Sequence, residues 1–203
     1  MGTEESSVEK QAIKRPPVDV LKRVVDDALK NGYAFRSLRA IAETSGISHR
    51  MLIYHFGSQH GVWSAIINEV REAERTLFAA ETEQVNTPDE LKEFLQVFGR
   101  RYTSGDFLPF YQLHFETYSY ALRHREECSE FLEGVVHPWV TALTALFVKV
   151  GFNEDDAHQR ARIILASTRG YFLDLITTGE ADKVDRSALT LLDLVCAKPA
   201  KSA

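Results

Sequence analysis

Apolar residues recur at helical spacing along almost the whole of this 203-residue chain, and that periodicity limits its fold more than any other feature. Near the start, Val20, Leu21, Val24, Val25 and Ala28 fall on one face of a helix. We find no run of alternating apolar and polar residues and no tight hairpin signal, which strands would require. The sequence therefore predicts an all-α protein of about nine or ten helices.

Charge is distributed unevenly along the chain, although the net charge is only −5. Residues 10–62 carry nine Lys and Arg against four Asp and Glu, whereas residues 63–203 carry 15 against 22. A basic first segment on an acidic remainder is typical of a small phosphate-facing module, although random variation in surface charge could give the same pattern. We expect a disordered polar tail (1–17), a small helical domain (18–62) and a larger helical domain (63–203).

The sequence indicates a cytoplasmic protein without metal or cofactor. Its longest apolar runs fall short of the roughly 18 residues that a membrane-spanning helix needs. The polar, acidic residues 1–10 lack the apolar stretch of a secretion signal. Cys128 and Cys196 form no close-spaced motif, so we expect neither a disulfide framework nor a zinc site.

Three short helices are predicted within the first domain, and the second and third are joined by a tight turn. Ser37 and Ser48 are placed to cap the second and third helices, and Gly46 tolerates the backbone angles of the turn between them. This is the helix-turn-helix arrangement. The expected core consists of Leu21, Val25, Leu38, Ile41, Ile47, Leu52 and Phe56.

The same segment resembles the DNA-binding region of the TetR (TetR/AcrR) family of transcriptional regulators. The resemblance covers roughly residues 18–67 and is carried by Gly32-Tyr33, Ser37-Leu38-Arg39-Ala40-Ile41-Ala42, Gly46-Ile47-Ser48 and Leu52-Ile53-Tyr54-His55-Phe56-Gly57-Ser58. It implies an all-helical homodimer with an N-terminal helix-turn-helix domain and a C-terminal ligand-binding and dimerisation domain. It also implies a repressor that leaves a palindromic double-stranded DNA operator when a small-molecule effector binds.

Carried across by position, the resemblance implies eight DNA-contacting residues: Ser37, Arg39, Ser48, His49, Arg50, Met51, Tyr54 and His55. Arg50 is the best candidate for a base contact, because the arginine fork suits guanine. For His55, capping or packing is an equal alternative. Three positions depart from the family pattern: Met51 stands where threonine is common, Ile53 where tyrosine is usual and Gln59 where lysine is frequent.

Aromatic residues at helical spacing crowd the larger domain, and several carry a polar atom that needs a partner when buried. An apolar cavity with a few convergent polar groups is the usual site for a small molecule. We therefore predict a pocket for a largely apolar effector, with a plain aromatic core as the alternative for most of these residues. The predicted lining is Phe98, Tyr102, Tyr111, His114, Tyr118, Trp139, Leu143 and Tyr171.

Two long helices near the C-terminus, at about 154–178 and 185–197, each carry an apolar stripe. The family resemblance favours a four-helix contact between two subunits, and the alternative is packing within one monomer. The predicted interface consists of Ala161, Leu165, Thr168, Phe172, Leu191 and Val195.

Enzyme activity is not predicted. The chain has no glycine-rich phosphate loop, no nucleophile elbow and no Cys-His pairing. His114 and Glu116 stand two residues apart, so a helix directs them to different sides. The main alternative is a helical small-molecule-binding protein that does not bind DNA specifically, which the departures at Ile53 and Gln59 suggest. An enzyme is a less favoured alternative.

Overall fold

The computed structural model describes residues 16–31, 36–103 and 107–197, and these residues form nine α-helices without a strand. The all-α prediction is therefore confirmed for the described part of the chain. Residues 1–15 of the predicted tail lie outside the described residues. The helices are α1 (Val18–Asn31), α2 (Leu38–Ser45), α3 (His49–Phe56), α4 (Gln59–Glu81), α5 (Pro88–Tyr102), α6 (Leu108–Arg123), α7 (Ser129–Lys149), α8 (Glu154–Thr178) and α9 (Ala181–Cys196), with a 3₁₀ turn at Thr82–Gln84.

Most helix starts follow from local capping. Ser37, Ser48 and Ser58 each accept a hydrogen bond from a backbone N–H in the first turn of α2, α3 and α4. Thr87 and Glu90 form a reciprocal capping box at α5. These signals are local, so the sequence predicts them well.

Helix bounds differ from the local sequence signals at two places. Gly134 and Pro138 are residues typical of a helix break, but α7 continues through Pro138 and buries Val135 and Trp139 on either side of it. The loop expected from Gly179 to Asp185 is only two residues long, because α9 already begins at Ala181 and buries Val184 in its first turn. In both places burial of apolar side chains against the body overrides the local signal.

Helices α1, α2 and α3 pack on one another and on the first turns of α4, and we call these elements the head. Its core includes Val24, Ile41, Leu52 and Phe56. Leu21 and Leu38 are half-buried against it, as the sequence predicts. The remaining helices form the body, in which α7 packs along α8, and α9 lies against both α5 and α8. Helix α4 belongs to both parts, since it also contacts α6 and α7.

Helix α7 is long and apolar enough to cross a membrane by length and composition alone, which differs from the sequence expectation. The same length and composition occur in the core helix of a globular protein. Along α7, Phe131, Val135, Trp139, Leu143 and Phe147 are buried in the shared core. Its apolar character is thus used in packing within the body.

Candidate nucleic-acid interface and ligand cavity

The turn between α2 and α3 is held from α1. Gly46 adopts a φ of 66°, and its N–H donates to the carbonyl of Ala42. The Arg23 guanidinium donates to the carbonyl oxygens of Ser45 (2.8 and 3.1 Å) and Gly46 (2.6 Å). A Cβ atom at position 46 would lie 2.6 Å from Arg23 Nη2, so the guanidinium would have to shift, and the left-handed φ itself favours glycine. The orientation of α3 relative to α1 is fixed by this arrangement.

Helix α3 has one buried face and one exposed face. Leu52 and Phe56 are buried in the head, whereas Met51 and Tyr54 are 41% and 61% exposed. Of the predicted DNA contacts, Ser37, Arg39, Ser48, His49, Arg50, Met51 and Tyr54 all lie on the surface. The hydroxyl oxygens of Ser37 and Ser48 accept backbone hydrogen bonds, which leaves each hydroxyl hydrogen free to donate to a phosphate.

His55 lies elsewhere. Its ring is only 7% exposed, and neither ring nitrogen has a hydrogen-bond partner within the protein. It lies edge-on to Tyr54 with 5.0 Å between ring centroids. His55 falls three residues after Leu52 and so shares the inward side of the short helix. His55 is therefore not exposed to contact a phosphate, and its prediction as a phosphate contact is wrong.

An ion pair ties α1 to the start of α2. Arg36 Nη1 donates to Asp27 Oδ2 at 2.7 Å, and Asn31 donates to the other carboxylate oxygen at 2.8 Å. Burial alone raises the pKa of Asp27, but hydrogen bonds from Arg36, Thr44 and Asn31 outweigh it and hold the pKa below its ordinary value. Arg36 is one of the basic residues of the first segment, yet its charge is paired with that of Asp27 within the head.

Gln59, the departure at the start of α4, has a structural contact in this protein. Its side-chain nitrogen donates to the carbonyl of Arg36 at 3.0 Å. This bond joins the first residue of α4 to the loop that precedes α2. Ile53, an apolar departure on α3, is 40% exposed.

A cavity of about 160 Å³ lies in the body among α4, α5, α6, α7, α8 and α9. Five residues of the predicted pocket line it: Phe98, Tyr111, Trp139, Leu143 and Tyr171. His114 and Tyr118 do not line it; they lie in a neighbouring aromatic cluster with Phe131. The side chain of Tyr102 lies outside the described residues.

Charged residues that the sequence analysis missed also line the cavity. Arg71 and Glu74 come from α4, and Arg169 comes from α8. Arg71 is 5% exposed and its Nη2 lies 3.0 Å from His114 Nε2. Burial, with a smaller effect from the guanidiniums of Arg71 and Arg169, holds the pKa of His114 well below its ordinary value, so the ring is neutral. His114 therefore contacts the cavity only through Arg71.

Burial raises the pKa of Glu74 to about 7 against the opposing effect of Arg71 and Arg75. At the cavity mouth, Arg100 and Asp185 form a two-bond ion pair at 2.8 and 3.1 Å, which joins α5 to α9. The wall of the cavity thus combines aromatic surface with buried charge.

No protein-family model and no curated protein match this chain. Solved structures do match over most of its length. A transcriptional regulator from Rhodococcus sp. Rha1 superimposes with a TM-score of 0.67 at 15% identity, over 89% of this chain and 98% of that one. A TetR-family member from Streptomyces coelicolor A3 gives a TM-score of 0.57 at 18% identity, over 89% and 97% of the two chains. The chain has the TetR-family fold.

The chain also superimposes on the structure of the multidrug binding protein EbrR, which was solved in complex with imidazole. It has a TM-score of 0.61 at 19% identity, and 90% of each chain is covered. The TetR resemblance read from residues 18–67 thus extends, as a fold, across the body.

The TetR-family fold of this chain does not expose the stripe predicted as a dimer interface. Ala161, Phe172 and Val195 are buried within the monomer, and Leu165, Thr168 and Leu191 are half-buried. Leu165, Thr168, Phe172 and Leu191 also line the cavity. Ala161, Phe172 and Val195 are therefore covered within the monomer and cannot form a subunit interface. For the half-buried Leu165, Thr168 and Leu191 the interface stays a prediction.

The outer side of the same helices carries different apolar residues. On α8, Ile163 and Leu173 are 45% and 53% exposed, with Ala166 and Gly170 exposed between them. On α9, Leu194 is 70% exposed. Exposed apolar residues at helical spacing were present in the sequence, but periodicity alone could not show which of two stripes faces the body.

Proposed function

We propose that the protein is a transcriptional regulator of the TetR type. In this proposal a homodimer acts in the cytoplasm, binds a palindromic operator through α3 and represses transcription until a small, largely apolar molecule binds in the body. One observation carries the proposal: α3 is anchored by Leu52 and Phe56 while His49, Arg50 and Tyr54 stand on its opposite, exposed face. A helix held in this way can enter the major groove as a rigid unit.

The roles of the exposed residues follow from their chemistry. The Arg50 guanidinium suits the two acceptors of a guanine, and Met51 suits the methyl group of a thymine. Arg39 and the hydroxyls of Ser37 and Ser48 suit phosphate oxygens, which position the helix without reading sequence. Ser37 begins α2, so the positive end of that helix faces the same phosphates.

A second copy of the chain is the proposed partner of the outer side of α8 and α9. Ile163, Ala166, Gly170 and Leu173 form a stripe over residues 163–173 of α8 that no element of the described chain covers. Pairing of this stripe across a two-fold axis would form an isologous interface. Such a dimer presents two α3 helices to half-sites about 34–36 Å apart.

Coupling between the cavity and the head is proposed to run through α4. Its first turns bury Val62, Trp63 and Ile66 next to the head, and Arg71 lies at the cavity two turns further along. A ligand that prefers one orientation of α4 would change the separation of the two heads of the dimer. The domain boundary proposed at residue 62 therefore lies within a continuous helix.

The proposal is tested by fluorescence anisotropy with DNA that flanks the protein's own gene, at two salt concentrations. We expect binding that weakens at higher salt, because phosphate contacts release counterions. Arg50→Ala should cost about 1–3 kcal/mol on the operator and leave binding to unrelated DNA unchanged. Arg125→Ala, at an exposed position between α6 and α7, is the matched control and should bind normally.

Binding that is equally weak on every DNA, or absent, would contradict the proposal and favour a helical small-molecule-binding protein instead. We propose no enzymatic reaction. Among the described residues, no three His, Cys, Asp or Glu side chains form a group that could hold a metal ion.

A further inference from the structure

The cavity in the body has one charged wall, and that wall carries more positive than negative groups. Arg71 and Arg169 supply two guanidiniums, and Glu74 supplies one carboxyl group. Arg100 also lies on the wall, but Asp185 neutralises it through two hydrogen bonds. The excess positive charge therefore comes from Arg71 and Arg169.

Arg71 forms no ion pair, and Glu74 acts on it only from a longer distance. Within the described chain its one hydrogen-bond contact is the neutral ring of His114, and no carboxylate oxygen lies within 4.0 Å of it. Its Nε is buried and bonds to nothing in the protein. A buried guanidinium left in this state is costly, and an anion that accepts its hydrogen bonds removes that cost.

Arg169 repeats the pattern from the opposite helix. Its Nη2 donates to the backbone carbonyl of Val135, and its guanidinium carbon lies 5.6 Å from the centre of the Tyr118 ring. Its Nε is also buried without a partner. Burial lowers the pKa of His114, and both guanidiniums lower it further. Burial also lowers the pKa of Arg71, with Glu74 opposing that shift and Arg169 adding to it.

Glu74 does not balance these charges at neutral pH. Its Oε1 is buried without a hydrogen-bond donor, and it forms no ion pair with Arg71, three residues earlier on α4. With a pKa raised to about 7 by burial, it is partly protonated under ordinary conditions. The indole Nε1 of Trp139, another lining residue, is a further buried donor without an acceptor.

We propose that the effector is a small aromatic acid, whose carboxylate binds Arg71 and Arg169 while its ring lies against Phe98, Trp139 and Leu143. This proposal rests on the proposed function, since it names the ligand class of the same cavity. The volume of about 160 Å³ is close to that of a 150 Å³ engineered cavity that holds benzene. One ring with a short acidic arm therefore suits the space.

An anion fits this wall better than a cation does. An amine would meet a single carboxyl group, Glu74, flanked by two guanidiniums that repel it. A neutral ring compound would leave the buried donors of Arg71, Arg169 and Trp139 unsatisfied. A carboxylate provides acceptors for these donors and neutralises the excess charge.

The first test compares three probes of similar shape by titration calorimetry on the full-length, unmodified protein at pH 7: phenylacetate, phenylacetamide and 2-phenylethylamine. We expect phenylacetate to bind about tenfold or more tightly than the amide, since charged hydrogen bonds replace neutral ones. The amine should bind most weakly. Equal affinity for acid and amide, tighter binding of the amine, or no binding of phenylacetate, benzoate and 3-phenylpropanoate at millimolar concentration would overturn the proposal.

The second test uses two substitutions with opposite expected effects. Arg71→Gln should weaken phenylacetate binding about tenfold or more and change phenylacetamide binding little. Glu74→Gln should leave the affinity for phenylacetate equal or higher. Arg162→Gln, at an exposed position on α8 away from the cavity, is the matched control. Unchanged phenylacetate affinity in Arg71→Gln would contradict the proposal, as would a loss of affinity in Glu74→Gln. If Arg71→Gln unfolds, Arg169→Gln replaces it with the same expected result.

These measurements need no DNA, so the two proposals fail separately. Operator binding without phenylacetate binding would contradict the proposal of an aromatic acid as effector, but not the proposal that the protein is a regulator. Phenylacetate binding without operator binding would contradict the proposed regulatory function, but not the proposed ligand class.

Discussion

The α4 segment from Arg71 to Arg75 consists of four charged residues and one alanine, a composition typical of a solvent-exposed surface. The structure nevertheless buries part of it. Arg71 is 5% exposed and Glu74 is half-buried on the cavity wall. A sequence signal did exist, because Arg71 follows Ile67 by four residues and precedes Phe78 by seven, on one apolar face. A charged residue within such a stripe is better read as a buried group at a site than as a solvated one.

At the same scale, helical spacing predicts the outward direction of most α3 side chains, whereas the phosphate contact of His55 was implied only by the family resemblance. His55 shares the inward side with Leu52 and Phe56, and only the packing of α3 in the head shows that its ring is covered. Gln59 was noted only as a departure from the family pattern. Its hydrogen bond to Arg36, 23 residues away, lies beyond what local sequence can show.

Glu74 predicts a specific pH dependence of stability. The fold raises its pKa from an ordinary 4.5 to about 7, so its contribution is fully present below pH 4.5 and is lost as pH rises through 7. The loss amounts to at most about 3 kcal/mol. We expect Glu74→Gln to lose less stability than the unmodified protein between pH 5 and pH 8, measured by urea unfolding.

The exposed Glu72→Gln, two residues away on α4, is the control and should follow the unmodified protein. If Glu74→Gln shows the same change in unfolding free energy with pH as the unmodified protein, Glu74 has no raised pKa in the fold.

At the scale of elements, local signals predict helix starts better than helix interiors. Ser37, Ser48 and Asn153 mark the starts of α2, α3 and α8 because each cap bonds within its own first turn. Pro138 is a strong local signal for a break, but α7 passes through it. The carbonyl of Val135, three residues before the proline, accepts a hydrogen bond from Arg169 of α8, a tertiary contact that no local pattern contains.

The turn between α2 and α3 depends on glycine at position 46. Gly46→Ala should destabilise the head by about 1–2 kcal/mol from the left-handed backbone alone. The added Cβ would also displace Arg23 from the carbonyls of Ser45 and Gly46. We expect lower stability in urea unfolding and weaker operator binding, because α3 loses its fixed orientation.

Gly134→Ala, inside α7, is the control for this substitution. Its Cβ would meet only Asn68 Oδ1 at 3.9 Å, so its stability should be unchanged or higher. A Gly46→Ala protein as stable as the control would show that the turn does not need the left-handed conformation.

At the scale of the whole molecule, the all-α fold and the division of roles follow from periodicity and from the TetR resemblance, but the exposed faces do not. Each of the last two helices has apolar residues on both sides, and only the packing of α8 on α7 shows that Ala161 and Phe172 face inward. The outer residues, such as Ile163, Leu173 and Leu194, are exposed and are the ones proposed to contact a second copy of the chain.

Leu173→Glu should convert the proposed dimer into a monomer, because it places a charge within an apolar subunit contact. Sedimentation equilibrium measures the mass directly, and thermal unfolding verifies that the variant still folds. Leu77→Glu, at an apolar position of α4 that is 43% exposed, is the control and should remain a dimer. A dimeric Leu173→Glu protein with unchanged affinity would place the subunit interface elsewhere.

The central claim is that the exposed face of α3 reads the major groove, and methylation protection of operator guanines tests it most directly. Dimethyl sulfate attacks guanine N7 in the major groove, the acceptor that Arg50 is proposed to bind. The account predicts protected guanines in two half-sites about 34–36 Å apart, with protection lost at one position per half-site in Arg50→Ala. Specific binding that leaves every guanine N7 reactive, or a protection pattern that Arg50→Ala does not change, would contradict it.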